Sequence, residues 1–216
     1  MLGLLCLVGC TKQSAPAPGS GQSPPAGAQT AKSLPRIVAF GDSLTAGLGL
    51  SAKEAYPALL QQRLKQDGYD YEVVNSGVSG DTSAGGVRRI DWALEGDVRF
   101  LILELGANDF LRGQPVAETK RNLAEIIDRA QAKNARVLLA GMLAPTNAGR
   151  EYQEQIRDMF VDVAREKNVT LIPFFLESVA GVEGLNQPDG IHPNVAGTKL
   201  VAETVYKHVK PMLDEK

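Results

Sequence analysis

Beyond residue 10 the 216-residue chain has no cysteine; its only two, Cys6 and Cys10, stand at the start. A disulfide, a thiolate metal cage and a cysteine nucleophile are therefore excluded from the body of the chain. Histidine is nearly as scarce, with His192 and His208 alone, and zinc, which wants three or four Cys, His or carboxylate ligands, has little to draw on. Neither sign of charge is in excess. The 23 Lys and Arg residues set against 25 Asp and Glu leave a net charge of −2, interspersed along the chain, which argues against a nucleic-acid partner. The apolar stretch at residues 1–9 is far shorter than the roughly 20 residues that a spanning helix needs.

Large apolar side chains are also missing from residues 11–35, which are built mostly from Ser, Ala, Pro, Gly, Gln and Thr. Such a segment buries too little surface to offset its ordering entropy and is expected to be a disordered tether. In front of it, Leu7-Val8-Gly9-Cys10 resembles the lipobox of bacterial lipoprotein precursors, in which the cysteine is lipidated and becomes the first mature residue. The expectation is a signal segment at 1–10, a tether at 11–35 and a folded domain at 36–216. Lipid on Cys10 would make an exported, membrane-anchored protein facing the periplasm or the cell exterior. The folded part, about 180 residues, is long enough to bury on the order of 70% of its unfolded surface without staples.

From Arg36 onward, short apolar runs alternate with longer segments of helical period. That alternation predicts an α/β domain, a three-layer α/β/α sandwich around a five-stranded parallel sheet. The strands are expected at 37–40, 71–75, 100–105, 136–142 and 170–173. Helices are expected at 55–66, 84–94 and 194–213, and around two apolar stripes: Leu123, Ile126, Ile127 and Ala130, then Tyr152, Ile156, Met159, Phe160 and Val163. In such a sheet ligands bind outside the carboxyl ends of the strands, so segments 41–49, 76–86, 106–113, 143–150 and 187–194 should share one edge.

Those loops hold chemistry. Gly41-Asp42-Ser43-Leu44-Thr45 leaves the first strand directly, and Ser43 there is either a helix cap or a nucleophile. A serine hydroxyl is a poor nucleophile without a base that titrates near neutrality, and imidazole is the side chain that does so. Asp189-Gly190-Ile191-His192-Pro193 supplies an imidazole and, three residues earlier, a carboxylate to hold its tautomer. The competing reading is a turn in which Asp189 bonds backbone amides ahead of the last helix. Two further loops offer donors to an oxyanion: Ser79-Gly80-Asp81-Thr82 through a backbone N–H, and Gly106-Ala107-Asn108-Asp109 through the Asn108 amide. His208 falls within the last helix and reads as an ordinary helix residue.

Taken together, Gly-Asp-Ser-Leu, Ser-Gly-Asp-Thr, Gly-x-Asn-Asp and Asp-x-x-His resemble, in order, the four blocks of the SGNH (GDSL) hydrolases, and the likeness extends over about residues 36–213. It looks nearest to the bacterial branch of thioesterase I/lysophospholipase L1 and arylesterases. The resemblance implies a flavodoxin-like fold and a serine esterase acting on small acyl esters or lysolipid, monomeric, without metal or other cofactor. It makes Ser43 the nucleophile, His192 the base and then acid, and Asp189 the orienting carboxylate. The Ser43 and Gly80 N–H groups and the Asn108 side chain become the oxyanion hole, with Asp42 in support. It also implies that Phe110, Leu111, Leu143 and Pro145 lie near the acyl chain.

Rival readings are weaker. No Gly-x-Ser-x-Gly elbow exists for an α/β-hydrolase, and Gly47-Leu48-Gly49-Leu50-Ser51-Ala52 does not follow a strand as a dinucleotide loop must. A carbohydrate O-acetylesterase would use the same four blocks on another substrate. A tethered binding module that has lost catalysis is opposed by the intact Ser43, Asp189 and His192.

Overall fold

Residues 37–40 and 100–103 are continuous apolar runs, and they form buried strands of the sheet, as a strand covered by helices on both faces must. The computed structural model describes residues 33–144 and 148–215. Expectations for the signal segment, for Cys10, for tether residues 11–32 and for Pro145 lie outside the described residues.

The strands are β1 (Arg36–Gly41), β2 (Glu72–Gly77), β3 (Val98–Glu104), β4 (Arg136–Ala140) and β5 (Thr170–Ile172). They pair in the order β2-β1-β3-β4-β5, and every pair is parallel. Parallel pairing needs a crossover after each strand, and the helices supply it. They are α1 (Ser43–Ala46), α2 (Tyr56–Gln66), α3 (Ser83–Ala93), α4 (Ala107–Leu111), α5 (Val116–Ala132), α6 (Arg150–Lys167) and α7 (Val195–Asp214). α3, α5 and α6 pack in series on one face, and α2 pairs with α7 on the other. The five-stranded parallel sheet between helical layers is the fold expected from the sequence.

Both apolar stripes point inward. Leu123, Ile126, Ile127 and Ala130 of α5 are fully buried, as are Ile156 and Val163 of α6 with Phe160 nearly so. Edge strand β2 is only half-buried along its length. Two short elements depart from expectation: the segments after β1 and β3 were read as loops, yet each folds into a turn of helix, α1 and α4. Strand order reverses between β1 and β3, so the crevice of this sheet opens where α1 and α4 begin.

Candidate active site

At the end of β1, Asp42 turns the chain and caps α1, its Oδ1 accepting the Leu44 N–H at 3.0 Å. The capping task thus falls to Asp42, and the Ser43 hydroxyl stays free of it. Ser43 Oγ lies 2.9 Å from His192 Nε2, a contact across 149 positions of sequence. His192 Nδ1 lies 2.7 Å from Asp189 Oδ2. The other Asp189 oxygen accepts the backbone N–H groups of Ile191 at 2.9 Å and His192 at 3.0 Å. The two readings of Asp189 are therefore both realised, one oxygen serving the turn and the other the imidazole. Those two amide donors, joined by the imidazole, pull the Asp189 carboxyl down to about 2. Asn194, not Asp189, caps α7, with Oδ1 accepting from Ala196 and Gly197.

The histidine loop is tied to the serine loop by a residue that sequence reasoning passed over. Gln187 Nε2 donates to Leu48 O at 2.7 Å and to Pro193 O at 3.0 Å, while its backbone N–H donates to His192 O.

On the loop that follows β2, Gly80 adopts φ +79°, a conformation that favours glycine, and its carbonyl accepts Arg112 Nη2 at 2.7 Å. Asn108, in the first turn of α4, donates Nδ2 to Asp42 Oδ2 at 2.9 Å and keeps a second amide proton. The backbone N–H groups of Ser43 and Gly80 have no acceptor among the described residues. Free donors around a serine that is hydrogen-bonded to an imidazole are what a tetrahedral oxyanion requires.

Two more polar side chains underlie these loops. Arg89 of α3 donates Nε to Asp81 Oδ2 at 2.7 Å, Nη1 to Ser76 O at 2.7 Å and Nη2 to Gly41 O at 2.9 Å. Its guanidinium also sits 3.8 Å from the centroid of the Phe40 ring, so one side chain joins the ends of β1 and β2 to the loop that carries Gly80. Glu104, the last residue of β3, is fully buried under the Ser43 turn. Its Oε2 accepts Thr45 Oγ1 at 2.8 Å and the Asp42 N–H at 3.2 Å. Glu104 was legible as the single charge inside the apolar run 100–105, whereas nothing in the sequence set Arg89 apart from other helix arginines.

A cleft beside Ser43 and His192 is walled by Leu44, Leu48, Leu50, Phe175 and Val201. Its interior of about 10 Å³ holds about one water and no acyl chain, so a substrate must lie along the open side. Phe110 is not there. Expected near the acyl chain, it is instead 7% exposed and packs edge-on against Phe160 at 6.1 Å, because α4 turns that side chain into the core while Leu111 faces outward. Leu111 and Leu143 are exposed at 59% and 42%. His208 is a helix residue, its Nδ1 bonded to Thr204 O of its own helix. Among the described residues no cluster of His, Cys, Asp or Glu is placed to hold a metal ion.

Residues 39–200 match the GDSL-like Lipase/Acylhydrolase family. The chain is 44% identical over 178 residues to Esterase TesA of Pseudomonas aeruginosa, spanning 82% of this chain and 89% of that one. It is 37% identical over 179 residues to thioesterase 1/protease 1/lysophospholipase L1 of Escherichia coli, spanning 82% of this chain and 85% of that one. Among solved structures it is similar to the psychrotrophic esterase EstA of Pseudoalteromonas sp., inhibited by monoethylphosphonate. There the TM-score is 0.79 at 34% identity, over 83% of this chain and 99% of that chain.

Proposed function

The chain belongs to the GDSL-like lipase/acylhydrolase family, and from that premise we propose that it cleaves acyl esters through an acyl-enzyme on Ser43. The protein is a serine ester hydrolase; what the proposal adds is the residues and the substrate class. The observation that carries it is the unbroken relay Ser43 Oγ, His192 Nε2, His192 Nδ1, Asp189 Oδ2, with contacts of 2.9 and 2.7 Å.

In this reading Ser43 Oγ attacks the acyl carbonyl as its proton passes to His192 Nε2. The carbonyl oxygen, now an oxyanion, is met by the Ser43 and Gly80 N–H groups and by the free amide proton of Asn108. Collapse expels the alcohol or thiol, which takes the proton from Nε2. Water then attacks the acyl carbonyl as its proton passes to Nε2, and collapse of this second intermediate breaks the bond to Ser43 Oγ, which takes the proton back from Nε2 as the acid leaves. No cofactor enters any step. The phosphonate that inhibits EstA is a tetrahedral phosphorus ester, and the same class should inhibit this enzyme.

The apolar side chains beside Ser43 favour acyl chains over sugars: Leu44, Leu48, Leu50, Phe175 and Val201 line the small cleft, along whose open side a chain can lie. Trp92, the exposed aromatic that a sugar platform would need, stands in the last turn of α3, at the sheet edge where β3 begins and away from Ser43. Leu111 and Leu143 are the apolar groups available outside the cleft for a longer chain. Pocket contacts discriminate by only about 1–3 kcal/mol per methylene, so the acyl length is a matter for measurement. Assay of p-nitrophenyl esters from acetyl to palmitoyl should show turnover of short and medium chains. Silence across the series, with release of acetate from acetylated oligosaccharides, would replace the acyl-esterase reading by sugar deacetylation.

The same reading extends to place. The Leu-Val-Gly-Cys segment supports a lipid on Cys10 and attachment to a membrane through the segment at 11–35. Cys10→Ala should then move the enzyme from the membrane fraction to the soluble fraction of its host, and an unchanged distribution would remove the anchor.

A further inference from the structure

Beneath the nucleophile turn lies a second acidic group that the relay does not use. Gly41 has no room for a side chain: a Cβ there would stand 2.1 Å from Thr45 Oγ1 and 2.5 Å from Glu104 Oε2. That close approach lets the buried end of β3 touch the backbone that presents Ser43. Glu104 is 0% exposed and Asp42 1%, and Glu104 Oε2 accepts the Asp42 backbone N–H at 3.2 Å, which seats the two buried acids side by side. Asp42 has a donor on each oxygen, Leu44 N–H on Oδ1 and Asn108 Nδ2 on Oδ2. Glu104 has donors on Oε2 only, and its buried Oε1 meets none. Two adjoining carboxyl groups in a water-excluded pocket do not both ionise, and the one with fewer donors keeps the proton.

We propose that Glu104 is a positioning residue that acts as a neutral carboxylic acid. Its proton is shared with the Asp42 carboxylate, and the chain Glu104, Asp42, Asn108 thereby fixes both the Ser43 turn and the oxyanion amide. The catalytic part of this rests on the roles given above to Ser43 and Asn108; the protonation of Glu104 does not.

Electrostatics agree with the geometry. Burial first, then the Asp42 charge, pushes the Glu104 carboxyl well above the usual carboxylate range, against the bonds from Thr45 and the Asp42 N–H. Burial raises Asp42 too, but the Leu44, Glu104 and Asn108 bonds and the His192 imidazole oppose that rise. The remaining titratable group on this side is Tyr56 of α2, 3.4 Å from Thr45 Oγ1, whose phenol burial holds protonated. Folding therefore takes up a proton at Glu104. The stability this confers is complete below the ordinary Glu value of 4.5 and is lost as pH rises toward the folded value.

Glutamine at 104 tests the idea, since its amide can donate to Asp42 where the acid proton did, and accept from Thr45 and the Asp42 N–H. The full chain and its Glu104→Gln and Glu104→Leu variants are compared by kcat and KM, by Tm from pH 5 to 9, and by the infrared band of a protonated carboxyl. Glu104→Gln should keep kcat within about threefold, gain Tm relative to the parent as pH rises, and lose the band. Glu104→Leu should lower kcat by about tenfold or more at little cost in KM. A Glu104→Gln kcat as low as that of Glu104→Leu would overturn the proposal, as would a Tm difference flat with pH and no carboxylic-acid band in the parent. If Glu104→Leu does not fold, the glutamine variant and the band decide alone. The band and the Tm slope should persist in Ser43→Ala, so failure of the esterase assignment is distinguishable from failure of this one.

Discussion

Ser43→Ala is expected to lower kcat on p-nitrophenyl butyrate by roughly 10⁴- to 10⁶-fold and to abolish the burst of p-nitrophenol that an acyl-enzyme gives. The hydroxyl that is removed bonds to His192 Nε2 alone, and Ser43 is only half-buried, so neither α1 nor the core loses support. Asp42 keeps its cap on Leu44, and Glu104 keeps Thr45 and the Asp42 N–H. Tm should accordingly move by no more than about 2–4 °C, the shift that 1 kcal/mol produces in a domain of this size. Residual hydrolysis should remain, because the Ser43 and Gly80 N–H groups and the Asn108 amide are untouched and still stabilise an oxyanion formed by water, with about 10³–10⁴ over solution as the known scale of that remainder. A variant retaining a tenth of the parental kcat would remove Ser43 as nucleophile. A variant that lost both activity and cooperative unfolding would instead assign it a structural role.

What could be read of this site from sequence follows from where its atoms come from. Ser43, Asp189, His192, Gly80 and Asn108 bring side chains or glycine, and motif blocks display both. The fold was legible for a similar reason: β1 and β3 are buried on both faces and announce themselves as apolar runs, and α5 and α6 write their packing as a stripe at helical spacing. The misses have two causes. Arg89 acts by donating to two backbone carbonyls, Gly41 O and Ser76 O, and carbonyls leave no trace in sequence. Gln187 does the same with Leu48 O and Pro193 O. Phe110 was expected near the acyl chain because the family resemblance carries over the whole segment, whereas one turn of helix rotates this side chain inward against Phe160 and leaves Leu111 outside. Local sequence recorded that both residues were apolar but not which of them α4 would bury.

Asp189→Asn is expected to cost about 10⁴-fold in kcat, more than the loss of one charge at a partly exposed position suggests. The reason lies in the split duty of the carboxylate. Its Oδ1 is held by the Ile191 and His192 N–H groups, so in the asparagine variant the amide oxygen is retained there and the NH₂ group is turned toward His192 Nδ1. A donor facing Nδ1 favours the imidazole tautomer that is bare at Nδ1 and protonated at Nε2. Nε2 then meets the Ser43 hydroxyl as a donor and has no lone pair with which to take its proton. The native carboxylate avoids this because those amide donors keep its pKa near 2, so it remains ionised through any pH at which the imidazole is neutral. Asp189→Ala frees Nδ1 to either tautomer while removing the charge, and its kcat should be no lower than that of Asp189→Asn. The measurement is kcat for both variants at neutral pH, with ¹⁵N shifts of the His192 ring reporting the tautomer. Nδ1–H persisting in the asparagine variant, or an activity loss below tenfold, would mean that Asp189 serves the turn more than the imidazole.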